Sequence, residues 1–337
     1  MERLNVNQKA ARVWYKLNKD TEVAVKTTCG LTKTAKVGDC LGQGTAGAGL
    51  VSQANLDHGL DNYFRTCKDI LYFGEVRIQP LSYQDDVGAP CLNVSMARVQ
   101  ATLLASLMKE KALLAHPEKT GYLVLGSKKY KERTRKELES NLIDFGKFTL
   151  KEKKQDKYLG QVIKSNLADS ALATVQDRTG KIKGAGIEIK YIIEEFQMQA
   201  LAGARAAWEL WEHALLPSLL SGAGTWLGEI QEAVDQCDTI QNFFWRLILE
   251  VPESCPKVAL RSETKSVGMK WKVWEAKCLL LKQIQNLEDT ALAKRVCLEA
   301  DARNLPGLKQ EVRYICSEIG IKDIDNVSKS QIKDAIF

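Results

Sequence analysis

Two acidic side chains stand side by side at Asp85 and Asp86, in the run Tyr83-Gln84-Asp85-Asp86. Adjacent carboxylates repel, so such a pair is costly unless a cation or hydrogen bonds compensate. Mg²⁺ takes oxygen ligands and is commonly held by one or two carboxylates together with substrate phosphates. A turn between two strands would hold the pair rigidly at the mouth of a site. An ordinary acidic β-turn carries the same letters, so the pair alone leaves both readings open. A glycine-dense stretch, Gly42-Gln43-Gly44-Thr45-Ala46-Gly47, matches the G-x-G-x-x-G spacing of dinucleotide-binding turns. That spacing has meaning only between a strand and a helix. Lys36-Val37-Gly38-Asp39-Cys40-Leu41 is a poor central strand, and no regular βαβ alternation surrounds it, which speaks against a nucleotide-cofactor fold. The third feature is charge. Residues 109–164 hold 15 basic and 8 acidic side chains, a balance of +7 that exceeds the +6 of the whole chain. Clustered Lys and Arg are the footprint of a phosphate-backbone partner. A solvated helix face laced with pairs such as Glu132 and Lys136 has the same composition.

The remaining composition narrows the class. With 337 residues, 45% hydrophobic and 27% charged, the chain is long enough for a sizeable core, and two domains are expected. A mostly disordered or collagen-like chain is excluded. Nine cysteines occur without any C-x-x-C half-site, and only three histidines accompany them, which argues against a zinc module and for reduced thiols in an intracellular protein. Residues 1–11 are polar and charged and form no secretory h-region. The longest uncharged stretch that could suggest a membrane span, 214–228, contains Pro217 and is shorter than the roughly 20 apolar residues such a span needs. A soluble protein without a membrane partner is expected.

The elements that would position these residues fall into two textures, giving an α+β class with a boundary near residue 165. Before it, strands are expected at 23–27 (ended by Cys29-Gly30), 75–79 and 121–126, with two short arms around the acidic turn at 85–88. Helices are expected over 50–64, 96–115 (stopping at His116-Pro117) and 128–143. Residues 147–150 and 158–163 read as a hairpin around a charged turn. After 165 the pattern is helical: 204–216 ending at Pro217, 226–250 broken by Val251-Pro252, 269–287, 290–304 and 308–319.

Taken in order, these motifs resemble the reverse transcriptases of non-LTR (LINE-type) retrotransposons, over roughly residues 10–320. Gly42-Gln43-Gly44 and the helix after it look like the family's Gln-Gly motif, which implies nucleotide and template contact for Gln43, Gly44 and Tyr83. Tyr83-Gln84-Asp85-Asp86 looks like its aromatic-x-Asp-Asp motif, which implies that Asp85 and Asp86 are catalytic and bind Mg²⁺. Lys119, in Glu118-Lys119-Thr120-Gly121, sits where the family carries a lysine near the nucleotide triphosphate. Tyr158-Leu159-Gly160 looks like the primer grip. Leu210-Trp211-Glu212, Thr225-Trp226, Phe243-Phe244-Trp245-Arg246 and Val251-Pro252 resemble the thumb and the region beyond it. The resemblance therefore implies a partial palm, a short antiparallel sheet with helices, over 1–165. An all-α thumb and C-terminal helical region would follow over 166–337. The implied partners are an RNA template, an RNA–DNA hybrid and deoxynucleoside triphosphates, in cytoplasm and nucleus, with Lys128, Lys129, Lys131 and Arg135 on the nucleic-acid backbone.

The family's nucleotidyl transfer also needs a third carboxylate, on a palm strand well upstream of the Gln-Gly motif. The acids before Gln43 are Glu2, Asp20, Glu22 and Asp39, and none lies in an apolar strand of the required kind. The expectation is thus a reverse-transcriptase fragment that is catalytically incomplete by itself. A non-catalytic nucleic-acid-binding remnant or domesticated module is the alternative. Asp85 and Asp86 are expected on a tight hairpin turn, with Tyr83 packed beneath and the 50–64 helix alongside.

Overall fold

A computed structural model describes residues 21–23, 26–27, 30–31, 35–37, 60, 63, 70–83, 86–111, 113–198 and 200–336, with backbone alone before residue 60 and at 200, 201 and 325. The fold is mixed α and β. Helices carry most of the described chain, and the strands form short two-stranded ladders. Val76–Ile78 is the strand expected at 75–79, and it pairs with Leu71–Phe73 across a turn at Gly74. The chain divides into two compact units that interleave in sequence. One includes Ile78–Thr120 and Lys136–Leu150, and the other includes Tyr72–Arg77, Gly121–Arg135 and everything from Lys151 onward.

In the first unit, Thr21–Val23 pairs antiparallel with Ala35–Val37, and Lys26–Thr27 pairs with Gly30–Leu31. The strand expected over 23–27 is therefore divided between two ladders, and Gly30 is a paired residue instead of a strand end. Helix α1 (Val94–Glu110) begins where Asn93 caps it, its side chain accepting from the Met96 N–H at 2.8 Å. It ends at Glu110, short of the expected 115. Leu113 and Leu114 prolonged the apolar period in the sequence, yet both side chains are exposed. Leu107 packs on Leu60 and Leu104, and the Tyr63 hydroxyl donates to the buried Gln100. Helix α2 (Lys128–Ser140), which belongs to the second unit as far as Arg135 and to the first from Lys136, also stops before its expected end at 143. Asp144–Phe145 then pairs with Phe148–Thr149. Residues 147–150 thus pair locally, not with 158–163. Gly146, at φ +66°, closes a turn too tight to leave that arm available.

The second unit is built on a 26-residue helix, α3 (Ser170–Glu195). Ala171, Val175, Ile182 and Ile189 recur on one buried face, which packs on α6 (Gln231–Leu249) through Val234, Ile240 and Phe244. Gly186 suits the close approach, since a β-carbon there would lie 3.1 Å from the Phe244 ring and the ring would have to give by a few tenths of an ångström. Between the two helices run α4 (Ala200–Leu210), a π-helical turn over Trp211–Leu215 and the short α5 (Leu216–Leu219). Pro217 does not end the helix as expected. It has no N–H to give His213, and the wider turn absorbs that loss through the Leu216 N–H, which bonds to Trp211 O. Trp211 is fully buried and stacks on Phe244 at 4.8 Å, and Trp245 meets Phe244 edge-on at 4.9 Å.

The remaining helices are α7 (Lys257–Thr264), α8 (Met269–Gln285), α9 (Leu292–Ala302), α10 (Leu308–Glu318) and α11 (Lys329–Ile336). Those expected at 269–287, 290–304 and 308–319 form within two residues of their expected ends. A second small core joins Trp274, Cys278 and Leu281 of α8 to Val312, Ile315 and Ile332. Among the described residues no helix is long and apolar enough to cross a membrane.

One core position breaks the pattern. Asn242 is 2% exposed, and neither its amide nitrogen nor its oxygen has a hydrogen-bond partner among the described residues. An orphaned buried amide costs about 1–3 kcal/mol. Asn242→Leu should therefore raise the denaturation midpoint, by about 1–2 kcal/mol in stability on the same scale. Phe244→Ala should lower stability by about 3–5 kcal/mol. Urea titrations followed by tryptophan emission would measure both.

Candidate nucleic-acid interface

The acidic motif lies on a hairpin of the first unit. Leu81–Tyr83 pairs antiparallel with Asp86–Gly88, in the register Leu81 with Gly88, Ser82 with Val87 and Tyr83 with Asp86. Two residues, Gln84 and Asp85, separate the strands in sequence and lie outside the described residues, as do Gln43 and Gly44. Asp86 is exposed at the first position of its strand. Tyr83 is 54% exposed instead of packed beneath the turn. The period of two explains it, since Tyr83 shares its face with the exposed Leu81 while Ser82 points the other way. Of the helix expected at 50–64, positions 60 and 63 are described, and both are helical and buried. Lys119 is exposed in a turn over 117–119, where its N–H donates to His116 O at 3.1 Å. Among the described residues no three His, Cys, Asp or Glu side chains gather to hold a metal, and Asp86 alone does not make a magnesium site.

The second unit holds the other motif in a more constrained setting. Gln155–Tyr158 pairs with Gln161–Lys164, and Tyr158 faces Gln161 across a two-residue turn. Leu159 and Gly160 have φ of +48° and +77°, the signature of a type I′ turn. Gly160 suits that turn. Leu159 does not, because Asn or Asp is the usual residue there, and a Leu side chain in the left-handed region is strained by about 1–2 kcal/mol. Its side chain is half exposed.

A buried arginine fixes this turn in place. Arg178 of α3 is 8% exposed and forms no ion pair among the described residues. Its Nη2 donates to Gly160 O at 2.7 Å, and its Nη1 donates to Leu219 O and Ser221 O, each at 2.8 Å. Burial lowers its pKa below the usual arginine value. Gln161 extends the clamp: its Nε2 donates to Ser221 O at 2.6 Å and its Oε1 accepts from Trp226 Nε1 at 3.2 Å. Val162 N–H donates to Thr174 Oγ1 at 2.9 Å, and Lys164 N–H to Ser170 Oγ at 3.0 Å. The hairpin is thereby docked along the first two turns of α3.

The basic segment is divided between paired and unpaired cations. Arg135 binds Glu152 with two nitrogens, Nε at 2.9 Å and Nη2 at 2.7 Å to the same oxygen. Its guanidinium is therefore already engaged by a neighbouring carboxylate. Burial, then the Glu152 charge, raises the phenol pKa of the adjacent Tyr122, and Arg135 opposes the shift. Lys153 pairs with Asp156 at 2.9 Å and Lys157 with Asp177 at 2.6 Å. Lys128 and Lys129 are exposed and Lys131 is half-buried, and none of the three makes an ion pair among the described residues.

No family model, curated protein or solved structure matches the chain. Arg178 went unnoticed in the sequence, although the signal was present. It falls on the i, i+4, i+7, i+11 stripe of Ala171, Val175 and Ile182, where a charge must find buried partners.

Arg178→Met would leave Gly160 O and Leu219 O unpaired and should cost about 2–6 kcal/mol, at about 1–3 kcal/mol per orphaned group. Hydrogen exchange should show the hairpin amides of Val162 and Lys164 losing protection before those of α6. Leu159→Asn should do the reverse and raise the unfolding midpoint by about 1 kcal/mol, since it relieves the left-handed strain. A midpoint lowered by Leu159→Asn would show that the Leu159 side chain makes contacts that outweigh its backbone cost.

Proposed function

We propose that this chain is the C-terminal portion of a non-LTR retrotransposon reverse transcriptase, an RNA-directed DNA polymerase, and that its second unit grips an RNA–DNA hybrid. The observation that carries the reading is the Leu159-Gly160 turn. A half-exposed leucine held in a strained left-handed conformation by a buried arginine is poor design for stability alone. Strain of this kind clusters where a side chain must be presented to a ligand. It falls on the motif that resembles the primer grip. The hairpin register of Tyr83 with Asp86 supports the same reading, because Asp86 opens a strand paired with the one that ends at Tyr83. In this reading Asp85 and Asp86 are the Mg²⁺ ligands, Lys119 meets the triphosphate, and Gln43, Gly44 and Tyr83 border nucleotide and template. Lys128, Lys129 and Lys131 supply phosphate contacts, with Arg135 a weaker contributor because Glu152 already holds it. A nucleic-acid-binding module without chemistry is the second reading, favoured by the same clamp and independent of the acidic pair.

Fluorescence anisotropy with a labelled RNA–DNA hybrid tests the binding. Neutralising about four phosphates implies an affinity loss of about 100-fold between 50 and 200 mM salt. Replacing Lys128, Lys129 and Lys131 with glutamate should weaken binding across all sequences alike and flatten the salt slope. Affinity that is indifferent to salt would overturn the reading. Primer extension on a primed RNA template with Mg²⁺ or Mn²⁺ should be absent, because the upstream carboxylate that nucleotidyl transfer needs is missing. Extension abolished by Asp85→Ala would show that another carboxylate has taken that role and that the chain is catalytically complete.

A further inference from the structure

The face formed by α8 and α10 carries an aromatic cluster that the clamp and the basic segment do not use. Trp274 lies at its centre and is 8% exposed. Trp271 meets it edge-on at 5.1 Å and 82°, and Tyr314 meets it at 6.3 Å and 81°. Both outer rings remain open to solvent, Trp271 at 37% and Tyr314 at 59%. The Lys270 ammonium stands 4.4 Å from the Trp274 centroid and 5.7 Å from that of Trp271. The patch therefore offers two accessible aromatic rings beside a cation, with a buried ring between them that fixes their orientation.

One exposed cation stands beside the rings for an anionic visitor. Helix α8 carries four lysines and the single acid Glu275, but Lys272 lies 3.5 Å from Glu212, Lys277 is buried, and Lys282 donates to Ile324 O, whereas Lys270 is exposed and makes no ion pair among the described residues. The nearby carboxylates are already held by bases. Lys277 pairs with Glu311, Lys333 lies 3.5 Å from Glu275, and Lys309 and Arg313 lie 2.7 and 2.6 Å from Asp301. These two cations hold the Asp301 carboxyl below the usual carboxylate range. Glu318, one turn beyond Tyr314 on α10, is the exposed exception. Rings that stack on any base, next to a cation that meets the phosphate, are how proteins take single strands without reading sequence.

We propose that Trp271, Tyr314 and Lys270 form a stacking platform for single-stranded nucleic acid, separate from the hybrid grip at Leu159-Gly160. The platform rests on the reading above only for the class of partner. Labelled oligo(dT) and oligo(rU) strands, titrated against the full chain in anisotropy, test it. Trp271→Ala and Tyr314→Ala should each weaken single-strand binding by about 5- to 100-fold, the loss seen when one stacking ring is removed. Trp271→Phe should restore most of it, and Glu318→Gln should tighten it. Binding of the RNA–DNA hybrid should be unchanged in the Trp271 and Tyr314 variants, which also shows that they fold. Single-strand affinity untouched by both alanine variants would overturn the proposal. So would equal losses for strand and hybrid, or competition by polyglutamate as effective as by oligo(dT). Hybrid binding that is absent while Trp271-dependent strand binding persists would keep the platform and remove the reverse-transcriptase reading.

Discussion

A guanidinium taken out of water must have its donors met, and the cost of failing is several kcal/mol. Arg178 meets its obligation without a carboxylate, using three backbone carbonyls from two separate segments. Because carbonyls belong to the main chain, the contact fixes where the backbone lies and not merely which side chains touch. The turn at Gly160 and the chain between Leu219 and Ser221 are thus located relative to α3 by one side chain. Gln161 and Trp226 then fasten the same two segments a second time. Thr174 and Ser170 extend the arrangement by capping the strand that leaves the turn. A two-stranded ladder standing alone is marginal in water. Here its rigidity is lent by the helix beneath it.

The cations follow a similar logic of local commitment. Arg135, Lys153 and Lys157 carry the formal charge that makes the segment look basic, yet each spends it on a neighbouring acid. What reaches solvent is the contribution of Lys128, Lys129 and their neighbours. Net charge read from composition therefore overstates the field that a passing phosphate would feel, because surface pairs are screened and mutually cancelling.

How much of this was legible in the sequence depends on the range of the interactions. The helices from 269 onward were readable, since α8, α9 and α10 are set by apolar period and by breakers such as Pro306-Gly307 and Gly320. The acidic hairpin was readable for the same reason, as its two arms are three residues each. Misreadings arose where a local rule met a tertiary demand. Leu113 and Leu114 fit the helical period but have no core to enter. Pro217 should have ended a helix, but packing of Leu215, Leu216 and Leu219 carries the chain past it. The exposure of Tyr83 could not be read at all, because alternation tells which residues share a face but not which face is covered. The docking of the Leu159-Gly160 turn was equally hidden, as it depends on a residue 18 positions away.

The π turn at Trp211–Leu215 has an evolutionary consequence. Such a turn is, in effect, one residue more than a regular helix needs along the same path. Ala207 is buried before it, Trp211 and Leu215 at its two ends, and Leu216 and Leu219 after it, so the extra residue rotates the apolar face by part of a turn. Length in this stretch is consequently as constrained as composition. A lineage that lost one residue between 211 and 215 would keep every hydrophobic side chain, yet it would aim the last three away from α3. Homologous chains should therefore vary in length within the loops on either side and hold a fixed count here.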